Sequence, residues 1–396
     1  MFKLFSLKGG LSNVDGFYCD GINAGLRPDP SQGDLAFIRS EGECTVSYLF
    51  TSNRFRAAPL RHASKMGNPY RGNFILINAK NANAMTGDAG VSDIEEILSS
   101  LPEKIDIENP VMSSTGVIGY RLPVEKIVEG MQRLDWYGQN SDEVARSIMT
   151  TDKIKKEICF EVVLPDGGKF TIAAIAKGAG MIDPSMATML CFVVTDAAVP
   201  PSDMAELLKS SADASFNRIS VDGDTSTNDS LFLMANGRSG NYDREAFAFA
   251  LNRVTFEMAM LMLRDGEGAN KVVAFEVTGA SSDEEAKIVA TKLSNSLLVK
   301  TALFGEDPNW GRIASTVGAS GVECDEEKLT IRYDDLIIYD REHRELDKER
   351  EEKAFSIMKR DSFKISCDLG IGDGSFTAYG CDLSYEYVKI NAEYRT

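Results

Sequence analysis

The chain has 396 residues, a formal net charge of −17 and a hydrophobic content of 43%. This length is enough for two domains or for one large domain with two core layers, and the composition is that of a soluble globular protein. An acidic balance of this size argues against a surface that binds nucleic acid or an acidic membrane, although it is compatible with a local cationic pocket.

The seven cysteines and two histidines restrict the chemistry further. The cysteine count is odd and no Cys-x-x-Cys pair occurs, which is typical of reduced, mostly buried thiols in a cytoplasmic protein. Lys3, Lys8 and two glycines interrupt any secretory segment, and no apolar run reaches transmembrane length, so we expect no membrane partner. Nucleophile-elbow, phosphate-loop and zinc-ligand spacings are missing, and we therefore predict no metal site.

The first half of the chain alternates short strand-like runs with helices. Runs of β-branched and apolar residues predict strands, whereas apolar residues at helical spacing predict helices. We predict strands over residues 47–51 and 74–78, helices over 92–101 and 124–134, and a hairpin of strands 157–164 and 169–175. Ser92 and Glu95 have the spacing of a capping box, and Pro123 suits the first turn of the second helix.

A loop of small residues lies between these helices, with the sequence Val-Met-Ser-Ser-Thr-Gly-Val-Ile-Gly-Tyr over residues 111–120. Such a loop presents free backbone N–H groups, as an oxyanion hole requires. Many strand-to-helix turns have the same pattern, so the pattern alone is a weak indication of catalysis.

The centre of the chain is the segment 177–190, Lys-Gly-Ala-Gly-Met-Ile-Asp-Pro-Ser-Met-Ala-Thr-Met-Leu. It forms a tight loop between the predicted strands 169–175 and 188–195. Thr188 opens the second strand, where a β-branched residue is usually structural. An N-terminal threonine, however, is a nucleophile whose own α-amine, with an ordinary pKa of about 7.7–8, serves as base. Thr188 reaches that state only if the Ala187–Thr188 bond is cut.

In the second half we predict helices over residues 201–216, 243–264, 282–303 and 341–360 and a strand over 272–278. Ser282 and Glu285 have capping-box spacing. The polar segment 220–229 has part of the spacing of a calcium loop, but Leu233 stands where the bidentate glutamate belongs. We therefore interpret this segment as a structural or site-lining loop.

The segment 177–190 resembles the ornithine acetyltransferases, also called glutamate N-acetyltransferases, of arginine biosynthesis. Similar motifs recur at residues 114–119, 149–152, 265–269, 307–313 and 387–396, so the resemblance covers nearly the whole chain. The Asn-rich segment 78–87 departs from the family, which commonly has Ser-Gly where this chain has Ala79-Lys80. We expect a structural loop there.

The resemblance implies an α/β fold, layered as an α/β/β/α sandwich. It further implies a precursor that cuts itself between Ala187 and Thr188. The products would be an α-chain of residues 1–187 and a β-chain of residues 188–396, assembled as an α2β2 heterotetramer in the cytoplasm.

The same resemblance assigns roles to separate segments. Thr188 would be the nucleophile, and Thr115 and Gly116 would stabilise the oxyanion. The residues expected to bind substrate are Thr151 (with Thr150 as the alternative), Lys177, Glu267, Asn391 and Thr396. Lys177 would pair with a substrate carboxylate, and Glu267 suits a substrate ammonium group.

The implied activity is transfer of the acetyl group of N2-acetyl-L-ornithine to L-glutamate through an acetyl-Thr188 intermediate. Acetyl-CoA is an open second donor, and no bound cofactor is expected. Two alternatives remain open at this point. One is a self-processing aminopeptidase or amidase of similar architecture, in which water takes the acyl group. The other is a binding protein without activity.

Overall fold

The computed structural model describes residues 1–183 and 189–393. Within these ranges the helices are α1 (Ala58–Ala63), α2 (Gly87–Ser99), α3 (Val124–Met131), α4 (Ser141–Ser147), α5 (Pro201–Ala214), α6 (Arg244–Arg264), α7 (Asp283–Asn295), α8 (Leu297–Phe304), α9 (Trp310–Gly318), α10 (Lys348–Met358) and α11 (Tyr385–Glu393). Short 3₁₀ turns lie at Gly10–Asn13, Ser64–Met66 and Phe216–Arg218.

The strands of these ranges form three sheets, of seven, six and four strands. They are β1 (Lys3–Ser6), β2 (Phe17–Ile22), β3 (Leu35–Ser40), β4 (Thr45–Phe50), β5 (Tyr70–Arg71), β6 (Phe74–Asn78), β7 (Val111–Ser114), β8 (Lys156–Val163), β9 (Lys169–Lys177), β10 (Leu190–Thr195), β11 (Ile219–Ser220), β12 (Ser230–Ala235), β13 (Val272–Ala280), β14 (Thr330–Tyr333), β15 (Leu336–Tyr339), β16 (Ser362–Asp368) and β17 (Gly374–Cys381).

The seven-stranded sheet has the order β1-β8-β9-β10-β12-β4-β5 and is buried on both faces. Successive side chains of a strand point to opposite faces. Ile175 and Phe192 therefore face the four-stranded sheet, whereas Ile172 and Cys191 face a core that includes side chains of α5 and α6. The predicted hairpin is present as β8 and β9, with Lys156 opposite Ala176.

The four-stranded sheet, β2-β3-β6-β7, lies against the large sheet. Ile38 and Ile75 pack towards the large sheet, while Phe37 and Leu76 pack against a core shared with α2 and α3. Helices, sheet, sheet and helices thus follow one another, which confirms the α/β class and produces the α/β/β/α layering that the motifs implied.

The six-stranded sheet, β11-β17-β13-β16-β14-β15, adds a part that the four-layer description does not include. Phe275 of β13 and Ile365 of β16 share a hydrophobic core with residues of α7, α8, α9 and α10. Its edge strand β11 ends at Ser220, where the polar segment 220–229 begins. This third sheet is therefore joined to the region of the candidate site through β11 and the chain that leaves it.

Three predicted helices differ clearly from the structure. The helix expected over residues 341–360 begins only at Lys348. The helix expected from residue 92 already begins at Gly87, and the Ser92 hydroxyl donates to the Asp88 carbonyl at 3.3 Å within the helix instead of capping it. The capping box at Ser92 and Glu95 is therefore wrong. The helix expected over residues 282–303 is broken at Ser296, whose backbone is extended and whose side chain caps α8. Ser282 does accept the Glu285 N–H, at 3.3 Å.

Helix α6 is long and apolar enough, by length and composition, to cross a bilayer, a property that the sequence analysis did not identify. Among the described residues, α6 is the one helix that meets this criterion. Of its most apolar window, 56% is buried inside the protein. Phe247, Val254 and Met258 pack in the core against the large sheet, so packing accounts for the apolar face. Six of the cysteines are buried and Cys324 is exposed, as expected for mostly buried thiols.

Candidate active site

A pocket gathers residues from widely separated parts of the chain. Seven residues with sequence-assigned or alternative roles line it, namely Thr115, Gly116, Thr150, Thr151, Lys177, Glu267 and Asn391. Ala187, Thr188 and Thr396 lie outside the described residues. The pocket therefore unites the predicted site residues whose positions the structure gives.

Thr115 follows β7, and its backbone N–H and its side chain make hydrogen bonds to different residues. Its N–H donates to the Asn78 carbonyl at 3.0 Å, so this N–H is already occupied. Its Oγ1 accepts a hydrogen bond from Lys177 Nζ at 3.3 Å. A hydroxyl that accepts from an ammonium group keeps its own proton for another acceptor. The side chain, and not the backbone N–H, is thus the donor that Thr115 can offer to an oxyanion.

Gly116 is fixed by a close approach of two backbones. Its φ is 132°, and a Cβ at this position would lie 2.2 Å from the carbonyl carbon of Lys80. A side chain cannot be accommodated there. Lys80 itself has a φ of 71°, in the left-handed region where the family commonly has glycine. The departure at Lys80 is therefore accommodated at a backbone cost of about 1–2 kcal/mol.

Lys177, the last residue of β9, is buried beneath the pocket. Burial lowers the pKa of its ammonium group, whereas the carboxylates of Asp152, Glu267 and Asp229 raise it. A buried cation at the floor of a small pocket is costly unless carboxylates balance it. The same cation can attract the carboxylate of a bound substrate.

Asp152 is the main anion beneath Lys177. Its Oδ1 accepts from Lys156 Nζ at 2.7 Å and from the Gly178 N–H at 2.8 Å, and its Oδ2 accepts from the Thr150 N–H at 3.0 Å. Burial alone would raise the pKa of Asp152, but the charges of Lys177 and Lys156 outweigh burial and hold it at about 2. Asp152 thereby ties the end of β9 to the segment that carries Thr150.

Glu267 lies in the turn after α6, and the same turn joins the buried charges. Asp265 accepts from Lys156 Nζ at 2.6 Å, and the Glu267 N–H donates to the Ala179 carbonyl at 2.8 Å. Gly180 packs directly against the Glu267 carboxylate: a Cβ on Gly180 would come within 2.6 Å of it. The glycine after Ala179 therefore leaves the space that the carboxylate occupies.

The C-terminal helix α11 reaches the pocket through polar contacts. Asn391 Nδ2 donates to Glu267 Oε2 at 2.8 Å, and the Tyr387 hydroxyl donates to Asp222 Oδ2 at 3.3 Å. The Ser384 hydroxyl, just before the helix, donates to the Gly268 carbonyl at 2.6 Å. None of the residues of α11 is buried. Apart from a ring contact between Tyr385 and Phe304, this helix is held by hydrogen bonds rather than by a buried hydrophobic face.

The polar segment 220–229 lines the pocket, one of the two roles foreseen for it. Asn228 Nδ2 donates to the carbonyls of Ala82 and Ser114, at 2.7 and 2.8 Å. These bonds join the segment to the Asn-rich loop and to the strand that precedes Thr115. Across residues 1–183 and 189–393, no cluster of His, Cys, Asp or Glu is arranged to hold a metal ion.

Carboxylates hold the chain on both sides of residues 184–188. Before them, Asp222 accepts the Met181 and Ile182 N–H groups at 2.7 and 2.8 Å. After them, Asp229 accepts the Met189 N–H at 3.1 Å, and the Ser230 N–H donates to the Met189 carbonyl at 2.9 Å. Both flanks of the Ala187–Thr188 bond are thus anchored next to the pocket.

Neither histidine lines the pocket. His62 lies on α1, where burial lowers the pKa of its imidazole. His343 is part of the charged segment before α10, and its Nδ1 lies 2.8 Å from the carboxylate of Asp340. Neither imidazole is therefore placed to act as a base in this pocket.

Sequence reasoning missed Asp152, Lys156 and Asp265 as a group and did not assign a role to Asn228 or Asp229. Asp152 and Asp265 belong to the motifs 149–152 and 265–269, so the family motifs carried a signal for them. Lys156 is the first residue of β8, just before the predicted strand, and lysine is almost never fully buried, so only the folded sheet shows its burial.

Comparison with known proteins identifies the family of the chain. The ArgJ family profile matches residues 18–396. The chain is 57% identical to the arginine biosynthesis bifunctional protein ArgJ of Wolinella succinogenes, over 100% of both chains. It is 40% identical to the glutamate N-acetyltransferase of Methanopyrus kandleri, over 97% of this chain and 98% of that protein.

A crystal structure of the arginine biosynthesis bifunctional protein argJ from Bacillus halodurans is 42% identical to the chain. The match covers 51% of this chain and 98% of that one, with a TM-score of 0.48. The family profile and the named relatives together define an acetyltransferase of arginine biosynthesis. The chain belongs to the ArgJ family, as its motifs indicated.

Proposed function

We propose that the protein transfers the acetyl group of N2-acetyl-L-ornithine to L-glutamate through an acetyl-Thr188 intermediate. One observation carries the proposal: the hydroxyl of Thr115, the ammonium group of Lys177 and the carboxylate of Glu267 line one pocket next to the anchored flanks of Thr188. N2-acetyl-L-ornithine has an acetyl carbonyl, a carboxylate and a side-chain ammonium group. An oxyanion donor, a cation and an anion in one pocket match these three groups.

Lys177 and Glu267 suit the two charged groups of the substrate. The ammonium group of Lys177 attracts the substrate carboxylate, and Glu267 attracts the ammonium group of ornithine. Asn391 bonds Glu267 Oε2 and so orients this carboxylate. Thr151 and Thr150 both line the pocket, and either hydroxyl can contact the substrate.

Acyl transfer then proceeds in two balanced steps. Thr188 Oγ attacks the acetyl carbonyl, its proton passes to the Thr188 α-amine, and the ammonium returns that proton to the departing nitrogen of ornithine. The amine of glutamate next attacks the acetyl ester and gives a proton to the Thr188 α-amine. The ester C–O bond then breaks, Thr188 Oγ regains that proton, and N-acetylglutamate leaves. The Thr115 hydroxyl and Gly116 stabilise both oxyanions, and one well-placed donor is worth about 3 kcal/mol.

This mechanism requires the precursor to cut itself between Ala187 and Thr188 into chains of residues 1–187 and 188–396. We further propose an α2β2 assembly in the cytoplasm, without a bound cofactor. The relatives named bifunctional favour a second activity. We propose that in this second activity acetyl-CoA donates the acetyl group to glutamate.

Purified protein assayed with N2-acetyl-L-ornithine and with acetyl-CoA, each with and without glutamate, tests the proposal. We expect ornithine release to depend on glutamate and N-acetylglutamate to form. Deacetylation at a rate that glutamate leaves unchanged would contradict the proposal and favour the aminopeptidase or amidase alternative. An uncut chain without turnover would favour a binding protein.

A further inference from the structure

The turn that carries Glu267 is held from two sides, and one of them lies outside the pocket. Towards β9, the Glu267 N–H donates to the Ala179 carbonyl at 2.8 Å. On the other side the turn meets residues 381–384, which connect β17 to α11. Asp382 and Ser384 of this connection are buried, and neither of them lines the pocket. Any effect of these two residues on a substrate must therefore pass through the turn.

Asp382 uses both oxygens of its carboxylate to hold this turn. Its Oδ1 accepts the N–H groups of Asn270 and Lys271 at 2.7 and 3.0 Å, and its Oδ2 accepts from Asn270 Nδ2 at 2.9 Å. The same Nδ2 donates to the Gly268 carbonyl at 3.2 Å. Hydrogen bonds to a carboxylate are stronger than those between neutral groups. Asp382 therefore fixes the backbone that directly follows Glu267.

Ser384 holds the same turn at its closest approach to α11. Its hydroxyl donates to the Gly268 carbonyl at 2.6 Å and accepts the Glu386 N–H at 3.2 Å. Gly268 has a φ of 70°, and a Cβ at this position would lie 2.5 Å from the Tyr387 nitrogen. The turn and the first residues of α11 are thus in direct contact, so a shift of one displaces the other.

Residues 381–384 are themselves anchored to α8. Lys300 of this helix is buried, and its Nζ donates to the Cys381 carbonyl at 2.5 Å. The Lys300 carbonyl accepts the Leu383 N–H at 3.1 Å. A site that must place one charged group accurately needs a support that is itself fixed. The connection between β17 and α11 meets this requirement, because a strand and a helix both hold it.

We propose that Asp382, assisted by Ser384, is a positioning residue for substrate selection: it holds the turn so that the Glu267 carboxylate pairs with the side-chain ammonium group of the acetyl donor. This inference rests on the proposed function, because it takes Glu267 as the ligand of that ammonium group. Neither Asp382 nor Ser384 touches the substrate or moves a proton. Their loss should weaken recognition of the ammonium group and leave the acetyl-transfer chemistry intact.

Two acetyl donors that differ only in this ammonium group test the proposal. N2-acetyl-L-norvaline has the side chain of N2-acetyl-L-ornithine without the terminal amine. Both donors give the same acetyl-enzyme, so the ratio of their kcat/KM values, measured with glutamate as acceptor, reports recognition of the side chain. Loss of folded or cleaved protein lowers both values equally and cancels in the ratio, so a merely structural role would not change it.

Wild type should prefer N2-acetyl-L-ornithine. Asp382→Asn should lower this preference roughly tenfold, because a carboxamide oxygen replaces only one of the two carboxylate acceptors. If Asp382→Asn does not fold, Ser384→Ala decides. It should lower the preference by a smaller factor, and Ser384→Thr, which keeps the hydroxyl, should restore it. An unchanged preference in Ser384→Ala would then overturn the proposal.

Asp20→Asn is the matched control. Asp20 is also a buried carboxylate, whose Oδ2 accepts the Asp135 N–H at 2.8 Å and whose Oδ1 accepts from Asn140 Nδ2 at 2.9 Å. None of these three residues lines the pocket. The preference should therefore be unchanged in Asp20→Asn. An unchanged preference in Asp382→Asn, or an equal fall in Asp20→Asn, would overturn the proposal.

Glu267→Gln separates this inference from the proposed function. It removes the anion itself and should lower the preference by roughly 10²-fold. A wild-type enzyme without a preference, or a preference that Glu267→Gln leaves unchanged, would contradict the role of Glu267 in the proposed function and the inference built on it. A preference that Glu267→Gln lowers and Asp382→Asn does not would contradict only the role of Asp382.

Discussion

At the scale of single residues, the pocket depends on buried charges that are balanced within hydrogen-bond distance. Lys156 bridges Asp152 and Asp265 at 2.7 and 2.6 Å, and Lys177 donates to the Thr115 hydroxyl. Buried pairs of this kind contribute little net stability but are costly to break on one side. Single substitutions can therefore separate residues that hold the pocket together from residues that act on the substrate.

Thr115→Ala should lower kcat by roughly 10²–10³, because its backbone N–H is occupied and only its hydroxyl can serve the oxyanion. Thr115→Ser keeps the hydroxyl and should retain most of the turnover. Steady-state kinetics on the cleaved enzyme provides the comparison. If alanine and serine variants turned over at the wild-type rate, the side chain would have no part in the mechanism.

Gly180→Ala should raise KM for the acetylated substrate with a smaller effect on folding. The new Cβ would come within 2.6 Å of the Glu267 carboxylate, the mobile end of a side chain, which can move aside but then leaves its place in the pocket. Gly318→Ala is the control, since its Cβ meets no atom within 4 Å. Equal KM values for the two variants would argue against Glu267 as a substrate ligand.

Asp152→Asn should destabilise the protein by about 3–5 kcal/mol at neutral pH, because Lys156 and Lys177 lose a buried partner. The pKa of Asp152 is lowered from 3.8 to about 2. Its stabilisation is therefore complete above about pH 4 and is lost as the pH falls towards 2. The difference in free energy of unfolding between wild type and Asp152→Asn, measured with urea, should therefore become smaller as the pH falls from 4 to 2.

Asp213→Asn is the control for this measurement. Asp213 pairs with Lys209 on the surface of α5, so its loss should cost less than about 1 kcal/mol. A cost for Asp152→Asn as small as that for Asp213→Asn would show that the buried charges are not coupled as described.

At the scale of elements, periodicity predicted the strands and helices better than their ends. Strand 74–78 and the hairpin of β8 and β9 follow the predicted bounds closely, because alternation and turn residues mark them. Helix α2 begins earlier than predicted. Its first turn has no apolar residues at helical spacing, so the sequence pattern did not reveal that turn. The break at Ser296 was missed because apolar residues continue on both sides of it.

Helix α11 is the element that we expect to contribute to substrate binding but little to the stability of the fold. None of its residues is buried, and Asn391 and Tyr387 bond Glu267 and Asp222. Ending the chain after Ser384 should leave the thermal unfolding temperature within a few degrees of wild type while raising KM strongly. Calorimetry and kinetics on the truncated protein measure the two effects. A large loss of thermal stability would mean that α11 is part of the fold.

At the scale of the whole molecule, motifs predict the class of fold and most of the candidate site residues. They do not predict that these residues meet in one pocket. Thr115, Lys177, Glu267 and Asn391 are far apart in sequence, and only the packing of the sheets brings them to one pocket. The third sheet and the buried Lys156 were not predictable, because burial of a charged residue depends on partners elsewhere in the chain.

The central claim is that Thr188, as a new N-terminus, carries the acetyl group. Intact-protein mass spectrometry after incubation with N2-acetyl-L-ornithine, without glutamate, tests it most directly. We predict two chains, of residues 1–187 and 188–396, with one acetyl group on the second chain at Thr188 that disappears when glutamate is added. An uncut chain that turns over, or an acetyl group on any other residue, would contradict this account.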